Sequence, residues 1–431
     1  MATVPRLFQI HGTCNNYTWG KKGHDSLAAR LCEKTPNTGF VIDEDQRYSE
    51  LWFGDYPDFP AKVLETGQPL AELLNEHKRA LLGSQVVERF GNHLPFLPKA
   101  SWPLRFGPRC AALTEMPQIL SISKPLPLQI HPNKSLAARL HQRFPEKFPD
   151  SNHKPEIAVA LSRFELFAGW RGLDQISPLF DVPSLRRFVP ESTASWTDET
   201  LRDVVRGILK ADATTVDNIE QDLKRHVEQG VHMPGHPGPS MLDLIQRLRS
   251  HSSPTDPAIL VAVLCMNYLA LDPGEAVFIP ADGLHCYLSG DVVECMARSN
   301  NMLSGGFCPA ADRDSIDLFS ETLVIDSSTR AENLKLPARR LRDALGRHTM
   351  VYQPPIGEFD VIRIDLPAGQ EEPLGKRKGP TVAIAILGRG AILGGDTELP
   401  VEEGFIFFLA AETAAMLRAD SALQVLAAVI R

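Results

Sequence analysis

The stretch Asp272 to Glu294, DPGEAVFIPADGLHCYLSGDVVE, leaves the chain few conformations. Asp272-Pro273-Gly274 marks a turn. Ala276-Val277-Phe278-Ile279 is a short apolar, β-prone run closed by Pro280. Pro280-Ala-Asp-Gly283 turns the chain again. His285 and Tyr287 then alternate with Cys286 and Leu288. Side chains two apart in a strand share a face, and a small β-barrel makes that face its interior. A further turn, Ser289-Gly290-Asp291, leads to Val292-Val293-Glu294-Cys295, a strand carrying a carboxylate. His285 is either a hydrogen-bonded core histidine or a metal ligand, and its partners elsewhere decide which.

Candidate partners lie upstream. Pro125-Leu-Pro-Leu-Gln129-Ile-His131-Pro132 sets Gln129 and His131 two apart on an extended segment, pointing one way. Asn152-His-Lys-Pro-Glu156 adds a carboxylate at the start of the run Ile157–Leu161. Two imidazoles, a carboxylate and an amide oxygen make an N/O shell suited to zinc, with room for water or substrate.

These residues resemble type I mannose-6-phosphate isomerase (phosphomannose isomerase), a family of zinc-dependent cupins. The resemblance runs through Asn16-Tyr-Thr-Trp19-Gly-Lys, Ser49-Glu50-Leu-Trp52-Phe-Gly54, Leu128-Gln-Ile-His-Pro-Asn-Lys134, Asn152–Glu156 and Pro273-Gly-Glu…His285–Ala297, in the family's order. It is looser in Tyr352-Gln-Pro-Pro…Glu358-Phe and Leu387-Gly-Arg-Gly390. It implies one zinc per chain on Gln129, His131, Glu156 and His285. It also implies Lys154, Tyr287 and Glu294 around a phosphosugar, with Trp19, Glu50 and Lys99 as further substrate-binding candidates.

Two places depart from the family's pattern. Where the family carries an arginine treated as catalytic, this chain has Ser304, and Ala310 stands for a lysine. Residues 100–118 interrupt a run that the family takes from Pro95–Lys99 straight into Ile119–Ile122. The interruption is either a surface insertion or translated non-coding sequence, and a break inside a core strand favours the second.

At 431 residues the chain exceeds one ordinary core. The patterning predicts a mainly β protein: two cupin-like jelly-roll barrels plus an α-helical domain. The expected division is 1–172 with 265–325 as catalytic cupin, 173–264 as helical domain and 333–431 as a second jelly roll. In the helical part, Leu201, Val204, Val205, Ile208 and Leu209 follow an N-cap signal at Thr197. His232 and His236 lie in a Pro/Gly-rich loop that reads as solvated. Phe359–Leu366, Thr381–Leu387, Glu403–Leu409 and Leu423–Ile430 are strands of a barrel for which no metal is expected.

A formal charge of −8 argues against nucleic acid or an anionic membrane as partner. No apolar run is long enough for a membrane span, and the first residues lack a signal-peptide h-region. Seven cysteines without a CxxC pair suit a reducing cytosol. The expectation is a cytoplasmic monomer acting on a phosphosugar.

The reaction implied is interconversion of mannose 6-phosphate and fructose 6-phosphate, feeding GDP-mannose synthesis. Moving a proton between C1 and C2 through an enediol needs a tuned base, here Glu294, and an electrophile on the oxygens. Lys154 and Tyr287 are placed to shuttle protons or stabilise oxyanions. A rival reading is a zinc cupin paralogue that binds a sugar or sugar phosphate with little isomerisation. Losing one charge-stabilising donor slows such a site by about 10²–10³. An iron cupin dioxygenase fits less well, because Gln129 dilutes a histidine-rich shell.

Overall fold

The computed structural model describes residues 4–55, 59–91, 118–191, 193–229, 238–340 and 346–430. The protein is mainly β, with a helical region between its strands. Two large sheets dominate. One, of ten strands, follows the order 266–271, 164–170, 285–296, 118–122, 50–52, 13–15, with strands 128–130, 156–160, 276–279 and 303–306 joined to it. The other, of eight strands, is built largely from residues after 338.

Strand alternation sorts the ten-stranded sheet into faces. In the strands Gln118–Ile122, Glu156–Ala160 and His285–Met296, the residues Leu120, Ala158, Ala160 and Val292 share an inner apolar cluster. Their sequence neighbours Ile119, Ile157, Val159, Val293 and Cys295 face away, into a core shared with the eight-stranded sheet. That core includes Tyr352, Phe359, Ile384, Phe408 and Leu426.

A second core covers the sheet elsewhere. Leu128, Ile130, Phe167, Tyr268, Cys286, Leu288 and Leu303 pack there against helices. The helix Ala258–Cys265 is buried at every position, as an all-round apolar sequence requires. The helices around it are amphipathic and capped by side chains. Thr197 caps Asp198–Leu209 in a box with Thr200, Asp212 caps Ala213–Glu228, and Ser240 caps Met241–His251. With helices on one flank and a sheet on another, the polar inner residues of the ten-stranded sheet end up far from bulk water.

The N-terminal strand departs from the expected division. Leu7–His11 lies in the eight-stranded sheet, paired with Ile406–Leu409 on one side and Lys62–Val63 on the other. It therefore joins the strands expected at 333–431, not the unit expected at 1–172. Its alternation explains why: Phe8 and Ile10 fill the core between the sheets, and Leu7 fills the far core of the eight-stranded sheet. Residues 100–117, Lys99, His232 and His236 lie outside the described residues.

Phe8 stacks on Phe408 with ring centroids 5.0 Å apart, and Phe408 is fully buried between the sheets. Phe408→Ala is expected to destabilise the protein by about 3–5 kcal/mol through the cavity it leaves. Urea denaturation monitored by circular dichroism measures it.

Candidate metal centre and active site

Three neighbouring strands set the base of the site. Ser304 pairs with Gln129, and Gln129 pairs with His285. Residues directly opposite one another project to the same face, so this row aims into the sheet's interior. Glu156 opens its own strand directly opposite Met296, and His131 follows Gln129 by two. The ligand atoms of His131, Glu156 and His285 all lie within 4.8 Å of one another. His131 Nε2 is 3.0 Å from Glu156 Oε1, and His285 Nε2 is 3.3 Å from Glu156 Oε2. The Gln129 amide reaches His285 Nε2 at 3.1 Å.

The partners of the two imidazoles fix their tautomers. His131 Nδ1 donates to Asn301 O at 2.9 Å and His285 Nδ1 to Gly283 O at 2.9 Å. A carbonyl only accepts, so Nδ1 carries the proton and the Nε2 lone pairs converge on an anionic carboxylate. His131 Nε2 and Gln129 Oε1 are buried without a hydrogen-bond partner. Lone pairs facing a carboxylate out of water are unfavourable unless a cation lies between them. The donor set, two imidazoles with carboxylate and amide oxygen, fits zinc.

The loops that hold these ligands are pinned by acids that sequence reasoning missed. Asp282 accepts from Asn133 N at 2.7 Å and also from the Asn133 side chain, while its own amide donates to His131 O at 2.6 Å. Asp150 accepts from Asn152 N, Asn300 N and the Asn301 amide. These acids hold the His131 loop and the Asn301 carbonyl that orients its ring. Short-range Asx patterns hint at Asp150; nothing local in the sequence marks Asp282.

A small cavity adjoins the cluster of His131, Glu156 and His285. Gln118, Gln129, Lys154, Glu156, Tyr287 and Glu294 supply its polar lining. Lys154 is 1% exposed, with Nζ 3.3 Å from Glu156 Oε1. Burial pulls its ammonium down against the opposing fields of Glu156, Glu294 and Glu50. Burial pushes Glu156 up, but positive charge from the His131 and His285 rings when protonated, and from Lys154, outweighs it and holds the carboxyl well below the usual range. Glu294 is pushed up to about 8, by burial first and then by the Glu156 charge, against hydrogen bonds from Gln118 and Tyr287. Gln118 Nε2 donates to Glu294 Oε2 at 2.8 Å, and Tyr287 Oη to Glu156 Oε2 at 3.3 Å. Gln118 went unrecognised because it sits at the edge of the interrupted stretch, in the strand position directly before Ile119.

The remaining candidates sit further out. Glu50 is fully buried and accepts from Asn15 Nδ2 at 3.1 Å and Trp52 Nε1 at 2.6 Å. Burial pushes it up to about 8. Trp19 is half-buried against the inner cluster that includes Tyr287. Ser304 is buried, and its amide donates to Asp314 Oδ2 at 2.6 Å. Ala310 is exposed at the start of a 3₁₀ turn.

The fold and this cluster define a cupin-like protein with a buried N/O cluster that could hold a metal ion. The chain belongs to the mannose-6-phosphate isomerase family, whose members are aldose–ketose isomerases. The model of the type I phosphomannose isomerase catalytic domain matches residues 7–101 and 107–173. The chain is 32% identical to mannose-6-phosphate isomerase of Aspergillus fumigatus, over 95% of this chain and 93% of that one. It is 31% identical to the enzyme of the same name from Schizosaccharomyces pombe, over 96% and 97%. A crystal structure of mannose 6-phosphate isomerase with zinc bound has the same fold, with a TM-score of 0.78 and 20% identity over 99% of this chain and all of that one.

The Glu50 carboxyl gives a pH signature. Its folded value lies above its unfolded one, so the fold holds the proton more tightly and stability falls as pH rises from about 4.5 to about 8. Glu50→Gln removes that loss. The variant is expected to match wild type near pH 4.5 and to exceed it at pH 8.5 by roughly 1–3 kcal/mol, a one-unit shift being about 1.4 kcal/mol. Denaturation at the two pH values measures the difference.

Proposed function

We propose that this chain is a zinc-dependent aldose–ketose isomerase that interconverts mannose 6-phosphate and fructose 6-phosphate. The observation that carries the reading is geometric: ligand atoms of His131, Glu156 and His285 lie within 4.8 Å of one another beside a cavity that Glu294 and Lys154 line, and the two carboxylates there are tuned in opposite directions. Glu156 is held ionised among imidazoles, whereas Glu294 is pushed up to about 8. Environments that drive two acids apart divide ligand from proton carrier. The names of the relatives support the substrate, and a zinc-bound structure of the same fold supports the metal.

Gln129, His131, Glu156 and His285 would hold one zinc per chain. When bound, the ion polarises the sugar's C1 and C2 oxygens. Glu294 moves the proton between C1 and C2, its carboxylate oriented by Gln118. Lys154 and Tyr287 donate toward oxygens that gain charge, and Trp19 and Glu50 shape the surrounding wall. Lys99 is a further substrate-binding candidate. The burial of these side chains makes each of these contacts stronger than it would be in water.

Ser304 makes the reaction slow. Arg298 and Arg313 are the nearby cations in sequence, and both are engaged elsewhere. Arg298 pairs with buried Asp55 at 3.2 Å, and Arg313 with buried Asp256 at 2.8 Å. Turnover is therefore below that of an arginine-bearing site, while zinc and the sugar hydroxyls still bind. The product feeds GDP-mannose synthesis in a cytoplasmic, monomeric setting. Net charge supports the absence of a nucleic-acid or membrane partner, and among the described residues no helix is long and apolar enough to cross a membrane.

Protein purified without chelator is expected to carry about one zinc per chain, as one four-ligand site requires. His285→Ala is expected to lose it by elemental analysis and to lose isomerisation. Glu294→Gln keeps the zinc and lowers kcat by about 10²–10⁴, the range for a lost general base. Full zinc in the His285 variant, or unchanged turnover in the Glu294 variant, contradicts the assignment.

A further inference from the structure

We infer that Glu358, from the segment that leads into the C-terminal strands, is a positioning residue for the proposed metal centre and its cavity. Through His153 and Lys134 it holds the two loops that carry Lys154, Glu156 and His131. The inference rests on the isomerase reading above and extends its machinery to a distant part of the chain.

Glu358 lies just before the strand Asp360–Leu366. Its neighbour Phe359 is fully buried in the core between the two sheets. Glu358 Oε2 accepts from Gly357 N at 3.0 Å, and Gly357 O accepts from Arg89 Nη1 at 3.0 Å. The carboxylate therefore projects from backbone that the core fixes on one side and Arg89 on the other.

Two loops of the site reach this carboxylate. His153 Nε2 lies 3.0 Å from Glu358 Oε1 and is the donor, since a carboxylate only accepts. Lys134 Nζ lies 3.6 Å from the same oxygen. His153 directly precedes Lys154 and stands three residues before Glu156. Lys134 follows His131 by three and opens the helix Lys134–Arg143, whose cap Asn133 binds Asp282.

The inner side of the loop 152–156 has its own contacts. Asn152 Nδ2 donates to Arg298 O at 2.7 Å, and Pro155 O accepts from Ala297 N at 3.1 Å. His153 lies between these two points, and its bond to Glu358 sets the direction from which Lys154 enters the cavity. Side chains of His153 and Glu358 are 18% and 8% exposed, so the bond is largely shielded from water and salt. An exposed ion pair would constrain the loop little. A shielded bond to an ionised group holds its partners in a defined geometry. Precision counts here, because a displacement of about 1 Å in a reacting geometry costs up to about 10²-fold in rate.

The test uses the full chain loaded with zinc. Glu358→Ala, His153→Ala and the double variant are compared with wild type on D-mannose 6-phosphate. Zinc affinity is measured separately, by competition with a chromophoric chelator. We expect each single variant to lower kcat by about 10- to 100-fold and to weaken zinc by about tenfold, the range for losing a group that orients a metal site. KM should change less than kcat, because Lys154 acts on oxygens that gain charge in the transition state. The double variant should lose no more than the larger single loss, because both changes break one bond. A merely structural contact would lower the urea midpoint and leave kcat and zinc affinity of the folded protein at wild-type values. That result, or losses in kcat that multiply in the double variant, overturns the inference.

If Glu358→Ala does not fold, His153→Ala decides by the same kcat and zinc measurements. Zinc-loaded wild type that does not turn over mannose 6-phosphate refutes the isomerase reading, and the zinc affinities of the variants then decide the inference alone. Wild type that binds no zinc overturns both.

Discussion

Charge held out of water is the constraint on which this structure turns. Glu50, Glu156, Glu294 and Lys154 are all buried inside one sheet, so three carboxylates share one ammonium. Such a set does not stay ionised together without further positive charge. The protein meets the problem in two ways. Glu50 and Glu294 shift toward their neutral forms, while Glu156 stays charged opposite two imidazole lone pairs that ask for a cation. The proposed metal site and the proposed proton carrier would thus share one origin, the burial of these groups by the two cores that cover the sheet.

Much of this was legible in the chain because strands have period two. Gln129 and His131, and His285 and Tyr287, are pairs two apart bounded by prolines and glycines, and the structure gathers the first three with Glu156. The mainly β architecture and the capped helices were legible for the same reason: local pattern encodes them. What escaped was set by pairing at long range. Nothing near Leu7 indicates that its partner is Leu409. Nothing near Asp282 shows that it secures the loop of His131. Nothing near Arg298 or Arg313 shows that each is engaged, because their acids, Asp55 and Asp256, lie far away in sequence. Gln118 was hidden because the stretch 100–118 read as an interruption, although the family match covers residues 107–173.

Ser304 illustrates how a substitution is accommodated without disturbing the frame. The ladder with Gln129 continues through it, and the register slips only after it, between Ser304 and Gly306. The two glycines are held by their surroundings. A methyl group on Gly305 would meet the Phe319 ring at 2.6 Å, and one on Gly306 the Ala258 Cβ at 2.1 Å. Asp256 anchors the strand's end by accepting from Phe307 N at 2.8 Å while binding Arg313. The backbone is therefore fixed from the helical side, and variation at residue 304 is felt mainly on the face it shares with Gln129 and His285.

The pairing of Leu7–His11 with Ile406–Leu409 also has a temporal meaning. During synthesis the first strand leaves the ribosome long before the strand that flanks it exists. Phe8 and Ile10, which close the core between the sheets, stay without that partner until Ile406–Leu409 has been made. Contacts of such sequence separation form slowly and leave apolar edges exposed in the meantime. The eight-stranded sheet thus closes late in folding, because one edge of Leu7–His11 waits for Ile406–Leu409.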